Sequence, residues 1–485
     1  MQENKQSYLL EDTNAPSRDG SQDLENDSFN DDKDTRRLFS NSNPDPDAIR
    51  RLTEKRSMSW FSRNFSALER GSLRVVIIMW IRMTMGVGVL ALPFYLSKFG
   101  IITGVGALFL GALMCYISYR FIFQSSVRTG IKEYSELVDD LIPSYIAKAF
   151  KFTFTLDYMA VLIVYSVVGW NLFEYLAYYC GLMKKEWVIN EATMEFDEYR
   201  WEVFTIRAIY FLVVYVALIP LFMKESLEKL KNLSMIFLGV MITLIIIIMI
   251  EDPFFRNAYQ NNGTLEVEYY SKTPTLQWIP FFFSMILFFY VQPFILSLRK
   301  EVLDPSFQRL NKISTISVLC ELGIYAVFGV ASYACLGDKY VPPLMIMRTP
   351  YPDKSTITEI IFKLGVFLFF LLNTIGISCY NPSIRQYLMK FSNMANKDLE
   401  YKLLSLVPFA VACVTGILMP NIITIFGFLG LTVCNFNGFI IPALMKANLE
   451  LRRNGSKAVI YGCYALALFY ALCGVAGVLV KIYVK

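Results

Sequence analysis

The run of residues 233–250, LSMIFLGVMITLIIIIMI, contains no charged side chain and constrains the fold more than any other feature of the chain. A helix needs about 20 predominantly apolar residues to cross the hydrocarbon layer of a bilayer. Hydrophobic residues make up 55% of the 485 residues and charged residues only 18%. A soluble protein of this length needs more polar surface, so the sequence predicts an integral membrane protein.

Apolar runs recur along the chain and predict about eleven transmembrane helices, an all-α integral membrane fold. The eleven predicted spans lie at roughly 73–97, 101–124, 150–180, 203–223, 233–250, 277–298, 313–336, 360–380, 403–419, 421–445 and 458–482. Residues 1–70 precede them as a tail that is polar at first and basic toward its end. Because such a segment buries little apolar surface, we expect it to be disordered.

Lysine and arginine concentrate in alternate loops, which sets the predicted orientation. Cytosolic loops carry the excess of positive charge. We therefore expect a cytosolic N-terminus and, with an odd number of spans, a luminal or extracellular C-terminus.

Asn262 then lies in an outer loop, where its Asn-Gly-Thr sequon is expected to carry a glycan. Cys180 and Cys335 fall near outer helix ends, and a disulfide between them is one alternative. The sequence leaves two locations as alternatives, the vacuolar or lysosomal membrane and the plasma membrane.

The first predicted span is interrupted in its middle. Gly86 and Gly88 lie at mid-membrane depth, and Pro93 follows. Glycine weakens a helix and proline removes a backbone donor, while free backbone groups are tolerated in a membrane only where they line a protected cavity. The break therefore indicates a binding site of the kind that discontinuous transporter helices form. Close helix packing through small residues is the alternative explanation.

The sixth predicted span repeats part of this pattern. It contains the stretch PFILS at 293–297, and the first span contains PFYLS at 93–97. Interrupted helices at corresponding positions of two halves indicate a transporter built from an inverted repeat.

These residues resemble a known family. The stretch GVGVLALP at 86–93, preceded by Arg82 and followed by Lys98-Phe99-Gly100, resembles the first-helix signature of the amino acid/auxin permease family. The stretch PFILSLRKEVLDP, which ends at Pro305, is similar to the sixth helix of that family and the loop after it. The likeness covers residues 70–485.

The resemblance implies a LeuT-like fold in which the first and sixth helices are discontinuous. Its two inverted repeats of five helices would occupy 71–250 and 251–445, and 446–485 would hold the eleventh helix and the C-terminus. It also implies secondary active transport of amino acids by alternating access, driven by protons or sodium. Many members have a hydroxyl residue at the position of Val87, and the stretch 281–290 is unusually aromatic here.

We expect the substrate carboxylate at the amide groups near Val87 and the ammonium at carbonyls near Met85 and Ser284. No fixed charge falls in this predicted pocket, which favours neutral amino acids, and the aromatic sixth span favours large apolar ones. The predicted substrate-binding residues are Thr84, Met85, Gly86, Val87, Gly88, Phe283, Ser284, Met285 and Tyr165.

Ionisable residues inside spans are expensive and usually functional. Arg82 is predicted to latch an inner gate by pairing with Asp157 or Glu321, or else to extend to the interface. Either carboxyl group could instead carry a coupling proton. In the eighth span, the predicted sodium ligands are Asn373, Thr374 and Ser378, with hydrogen bonding between helices as the alternative. Protons and sodium both remain alternatives as the coupling ion, although the apolar surroundings of Val87 favour protons.

The chain contains no histidine, which excludes histidine metal ligands and histidine proton relays. No nucleophile constellation indicates an enzyme, and neither a cofactor, a metal nor a nucleic acid is expected. The expected partners are the amino acid, the coupling ion and the lipid bilayer. The alternative function is an amino acid sensor that signals through cytosolic partners of the tail over 1–70.

Overall fold

The computed structural model describes most of the chain that follows the tail. The described residues are 73–86, 88–183, 189–190, 195–196, 201–223, 233–261, 266–271, 273, 275–302, 305–342, 344–347, 356–389, 397–419 and 421–483. The predicted tail, Val87 and the sequon at Asn262 lie outside this set, as does the side chain of Ser378.

The first part of the chain forms helices joined by short connections. They are α1 Leu73–Thr84, α2 Gly88–Phe99, α3 Ile101–Thr129, α4 Tyr134–Leu141, α5 Ser144–Tyr179, α6 Trp201–Phe222 and α7 Leu233–Asn261. Two strands, β1 Ile189–Asn190 and β2 Glu195–Phe196, pair antiparallel between α5 and α6. This small hairpin is the one departure from the predicted all-α fold among the described residues.

The second part contains helices interrupted by short 3₁₀ and π segments. The helices are α8 Trp278–Ile286, α9 Ile295–Lys300, α10 Phe307–Tyr340, α11 Thr356–Met389, α12 Lys397–Leu418, α13 Ile422–Leu429, α14 Ile441–Arg452 and α15 Lys457–Tyr483. The 3₁₀ turns are Thr275–Gln277, Leu287–Phe289, Gln292–Phe294 and Met345–Met347, and the π segments are Gly430–Cys434 and Phe436–Ile440.

Nine helices in the described part of the chain are long and apolar enough to cross a membrane, and the pair α1 and α2 adds one bent span. The prediction of a multi-pass membrane protein is thereby confirmed, whereas the count of eleven is not. The charge-free run 233–250 lies in α7. That helix does not count among the nine, and several of its side chains lie outside the described set.

The outward faces of the helices are apolar, as lipid contact requires. On α15, Leu468, Leu472, Val475 and Leu479 are all at least 49% exposed and follow one another at helical spacing. Residues three and four apart lie on one face of a helix. This stripe of exposed leucine and valine is therefore a lipid-facing surface.

The breaks in the first and sixth spans are both present. The axis turns by 59° between α1 and α2, at the predicted glycines. In the sixth span the helical backbone is lost at Tyr290 and Val291, where ψ is 108° and then 6°. The expectation of a break near Ser284 was wrong, because Ser284 lies inside regular α8 and its hydroxyl donates to Pro280 O at 2.8 Å.

Two tyrosines satisfy the backbone that the sixth-span break sets free. Tyr325 Oη of α10 donates to Phe288 O at 3.0 Å, and Tyr119 Oη of α3 donates to Phe289 O. Unpaired carbonyl groups are costly inside a membrane. These two hydroxyls therefore allow the helix to end at this depth.

The alternative of a disulfide between Cys180 and Cys335 is wrong, since both thiols are free. Cys180 follows α5, which packs mainly on α11 and α12. Cys335 belongs to α10, which packs on α1, α2, α3 and α7. The two cysteines therefore lie on helices with different neighbours.

Candidate functional site

A cavity of about 160 Å³, here called the central cavity, lies where the two broken spans meet. This volume is about five times the ~30 Å³ that one water occupies in the liquid and well below the ~300 Å³ or more of a drug-sized site. It suits a small solute. The cavity is lined by Met83, Thr84, Gly86, Gly88, Asp157, Tyr158, Ala160, Val161, Val164, Tyr165, Leu287, Phe288, Tyr290, Pro293, Phe294, Phe426, Leu429 and Cys434.

Part of the predicted substrate site lines this cavity. Thr84, Gly86, Gly88 and Tyr165 do so, and Val87 lies outside the described residues. Four further predicted residues are buried elsewhere and do not line it, namely Met85, Phe283, Ser284 and Met285.

Phe283, Ser284 and Met285 do not line the cavity because the sixth-span break lies further along the chain than they do. Since α8 runs on to Ile286, the wall is formed by residues closer to the break, among them Leu287, Phe288 and Tyr290. Proline disfavours helical backbone in the residue before it. The proline of the PFILS stretch, Pro293, lies close to the break at Tyr290 and Val291 and was therefore the better guide to its position than Ser284.

The two glycines of the first-span break differ in their surroundings. A Cβ built on Gly88 would collide with the ring of Phe288, lying 2.7 Å from Cε1. A Cβ on Gly86 would meet nothing closer than Thr84 O at 4.0 Å. The two broken spans thus touch at Gly88 and Phe288, whereas Gly86 faces open space.

Asp157 of α5 places a carboxyl group on the cavity wall, although the sequence predicted no fixed charge in the pocket. The residue is only 4% exposed. Tyr290 Oη and Asn437 Nδ2 both donate to Oδ2, the latter at 3.1 Å, and Cys434 Sγ lies 3.8 Å from Oδ1. In the described part of the chain, every polar contact of Asp157 comes from a neutral group.

Glu321 of α10 is fully buried beside the end of α1. Thr84 Oγ1 donates to Glu321 Oε1, and Oε2 has no hydrogen-bond partner among the described residues. Glu321 does not line the central cavity but contacts Thr84, which does.

Arg82 forms no ion pair with Asp157 or Glu321, whose described polar contacts come from other residues, and its role as an inner-gate latch stays a prediction. Arg82 is half-buried and forms no ion pair with a described residue. Thr84 comes two residues after Arg82, which is about 200° around a helix with 3.6 residues per turn. The face of α1 that meets Glu321 is therefore opposite to the face that carries Arg82.

The predicted sodium ligands lie on α11, behind Tyr165. Asn373 Nδ2 donates to Tyr165 O at 2.8 Å, and Thr374 Oγ1 donates to Phe370 O at 2.9 Å. Neither residue lines the central cavity, and the side chain of Ser378 is outside the described set. The sodium site stays a prediction.

A second cavity of about 280 Å³, here called the vestibule, adjoins the central cavity through Tyr158 and Pro293, which line both. The ring of Tyr158 lies 5.5 Å from that of Tyr387 and 5.6 Å from that of Phe294. Lys300 and Glu133 pair at 3.2 Å on its rim. The vestibule is lined by Lys132, Glu133, Tyr134, Ser135, Phe154, Tyr158, Pro293, Leu296, Ser297, Lys300 and Tyr387.

Aromatic rings pack between α2 and α8 on another side of the central cavity. The Tyr95 ring contacts Phe288, which lines the cavity, at 5.5 Å and Phe281 at 6.1 Å. Phe99 then contacts Phe281 at 6.4 Å and Trp278 at 5.8 Å. These rings join α2 to α8 in an aromatic layer.

Comparison with known proteins places the chain among transporters. A family model described as transmembrane amino acid transporter protein matches residues 69–484. The chain is 22% identical over 415 residues to amino acid transporter AVT6E of Arabidopsis thaliana, covering 81% of this chain and 80% of that protein.

Two Plasmodium proteins are also similar. The candidate amino acid transporter AAT1 of Plasmodium falciparum is 22% identical over 284 residues, covering 58% of this chain and 43% of the relative. For AAT1 of Plasmodium berghei the identity is 21%, with 57% and 41% covered. The chain thus matches less than half the length of these two relatives.

A solved structure of a substrate-bound, outward-open Na⁺-coupled sialic acid symporter is similar at a TM-score of 0.41 and 12% identity. The match covers 85% of this chain and 98% of the symporter chain.

Proposed function

The chain belongs to the transmembrane amino acid transporter family, and from this premise we propose that it is a secondary active transporter, a symporter that moves neutral amino acids together with protons by alternating access. The observation that carries the proposal is the central cavity at the meeting of two broken spans. Discontinuous helices at mid-membrane depth are how transporters expose backbone groups to a substrate.

The walls of the central cavity support a small zwitterion with an apolar side chain. The helix α2 begins at Gly88, on the cavity wall. A helix N-terminus carries a partial positive charge and free amide groups, both of which favour a carboxylate. Val161, Val164 and Leu429 form an apolar part of the wall, which suits an uncharged side chain.

Glu321 supports coupling to protons. A buried carboxylate without a cationic neighbour is costly, and taking up a proton removes that cost. An ionised carboxylate can only accept hydrogen bonds, whereas a protonated one can also donate. Because Glu321 contacts Thr84 at the end of α1, its protonation changes a contact at the first-span break.

The distribution of lysine and arginine supports an N-terminus in the cytosol and a C-terminus in the lumen or outside the cell. We propose that the protein resides in the vacuolar or lysosomal membrane or in the plasma membrane.

The test is uptake by the purified protein in proteoliposomes, across a panel of amino acids and with imposed proton or sodium gradients. We expect neutral amino acids to accumulate when a proton gradient points inward. Absence of uptake for every amino acid would overturn the proposed function. Accumulation that follows only the sodium gradient would overturn proton coupling. It would favour sodium coupling through the predicted ligands Asn373, Thr374 and Ser378.

Variants locate the coupling group. Glu321→Gln should abolish accumulation driven by the proton gradient while exchange of labelled for unlabelled amino acid persists, because Gln cannot release a proton. Thr374→Val should leave the dependence on pH unchanged. The opposite result, with sodium dependence lost in Thr374→Val and proton dependence kept in Glu321→Gln, contradicts the assignment to Glu321.

A further inference from the structure

Asp157 is a buried acid on the wall of a solute-sized cavity, and its neighbours do not neutralise it. Tyr290, Cys434 and Asn437 contact its carboxyl oxygens, and none of them carries a positive charge. Isolated charges in an apolar interior are costly, and buried charges are therefore usually paired. A cation in the cavity would supply the pairing that the described part of the chain does not.

The two oxygens of Asp157 are used unequally. Oδ2 accepts from both Tyr290 Oη and Asn437 Nδ2. Oδ1 has one contact, a thiol at 3.8 Å, which is a weak donor at long distance. The carboxyl group is thus held in place through Oδ2, and Oδ1 keeps capacity for another donor.

Three structural elements fix this position. Asp157 comes from α5, Tyr290 from the sixth-span break, and Cys434 and Asn437 from the π segments of the tenth span. A group that is held by several elements loses little freedom when a ligand binds to it, which is the requirement for a specific polar contact.

We propose that Asp157 binds the ammonium group of the substrate, so that the substrate class is solutes with a charged primary amine and a carboxylate. This deepens the proposed function and rests on it. The carboxylate of the solute lies toward the N-terminus of α2 at Gly88, and the ammonium lies at Asp157 Oδ1. Asp157 thus takes the role that carbonyl groups near Met85 and Ser284 were expected to fill.

The test pairs each amino acid with its counterpart that lacks the amine. The probes are L-alanine with propionate, L-leucine with 4-methylpentanoate and L-phenylalanine with 3-phenylpropanoate. Binding of each probe to the purified full-length protein is measured by competition against the labelled amino acid that the wild type transports best. The readout is the ratio of the two inhibition constants within a pair.

In the wild type, the amino acid should bind about tenfold to a hundredfold more tightly than its counterpart, as expected for one charge-assisted hydrogen bond. In Asp157→Asn the ratio should fall toward one, since the neutral amide has the shape of the acid without its charge. Asp157→Glu keeps the charge and should keep a ratio well above one. The control Glu400→Gln removes a buried carboxyl of α12 that lines neither cavity and should keep the wild-type ratio.

Three results would overturn the proposal. One is an equal loss of binding for both members of a pair in Asp157→Asn, which would make Asp157 a structural residue. Another is an unchanged ratio in a folded, abundant Asp157→Asn protein. The third is that lysine or arginine binds more tightly than every neutral probe and that Asp157→Asn loses only this preference. Asp157 would then bind the cationic side chain of the substrate and not its α-ammonium group. If the wild type binds no amino acid at all, it is the proposed function that fails, and the ratio is not defined.

Discussion

At the scale of single residues, the two glycines of the first-span break have different roles. Both come from the same short motif and both line the central cavity. Only Gly88 is in tight contact, because the ring of Phe288 occupies the place where a side chain would begin. The requirement at Gly88 is therefore for space.

This difference gives a prediction with a matched pair of variants. Gly88→Ala should reduce amino acid uptake at least about tenfold at normal abundance, because overpacking of about 1–3 kcal/mol pushes α2 away from the sixth span. Gly86→Ala should keep most of the uptake, while the larger Gly86→Leu should fill the cavity and abolish it.

The measurement is initial uptake in proteoliposomes, corrected for the amount of inserted protein. The double variant Gly88→Ala with Phe288→Leu should recover part of the activity, since the smaller side chain makes room for the methyl group. Equal loss in Gly86→Ala and Gly88→Ala would contradict the steric explanation.

At the scale of elements, breaks and π segments position the polar groups of the site. The π segments Gly430–Cys434 and Phe436–Ile440 belong to the tenth span and bring Cys434 and Asn437 to Asp157. Such departures from α geometry are frequent at functional sites. Gly438 lies between these groups and the sixth span, where a Cβ would come within 2.7 Å of the Tyr290 ring. The tenth span therefore supports both Asp157 and the tyrosine that contacts it.

The sixth-span break depends on hydroxyl groups from other helices, which can be tested. Tyr325→Phe and Tyr119→Phe should each lower the free energy of unfolding by about 1–3 kcal/mol, because each leaves a buried carbonyl group without a donor. The control is Tyr464→Phe, whose hydroxyl contacts Asn448 Oδ1 at 2.7 Å at an exposed position and should contribute within about 0.5 kcal/mol.

Thermal unfolding in detergent and uptake in proteoliposomes are the two measurements. Both break variants should be less stable than the control and should transport more slowly. A stability of Tyr325→Phe equal to that of Tyr464→Phe would show that the carbonyl of Phe288 finds another partner.

At the scale of the whole molecule, the central cavity adjoins the vestibule and is bordered by packed aromatic rings between α2 and α8. A partly exposed ion pair, Lys300 with Glu133 at 3.2 Å, lines the vestibule. Exposed pairs contribute about 0–1 kcal/mol each. Such a pair can therefore break and re-form at low cost.

Accessibility to a membrane-impermeant maleimide tests this arrangement. Ser297 is exposed and lines the vestibule, so Ser297→Cys should react from the side that carries the N-terminus. Tyr269 is 60% exposed in a loop that contacts the start of α3, and Tyr269→Cys should react from the opposite side. Both variants need a background in which the exposed Cys180 and Cys320 are serine.

If transport follows the proposed alternating access, an excess of transported amino acid should change the labelling rate of Ser297→Cys, because that mechanism requires the vestibule to close in part of the cycle. Reaction of both cysteines from one side of the membrane would contradict the expected placement of Ser297 and Tyr269 on opposite sides.

The sequence by itself determined the membrane class, most of the spans and the break at Gly86 and Gly88, because hydropathy and backbone freedom are properties of neighbouring residues. It also selected Asp157 and Glu321 as unusual, since ionisable groups in apolar runs are visible without a fold. Only the tertiary structure decided what those groups contact. Tyr290 and Asn437 lie 133 and 280 residues from Asp157 in sequence, and no local pattern encodes such distances.

The same reason explains the displaced sixth-span break. Its position depends on hydroxyls of Tyr119 and Tyr325 from α3 and α10, which satisfy the carbonyl groups that an interruption sets free. The carbonyl groups freed by the break were expected near Ser284, where α8 continues. The energy of free backbone groups in a membrane is set by whichever helices pack against them, and that packing exists only in the folded protein.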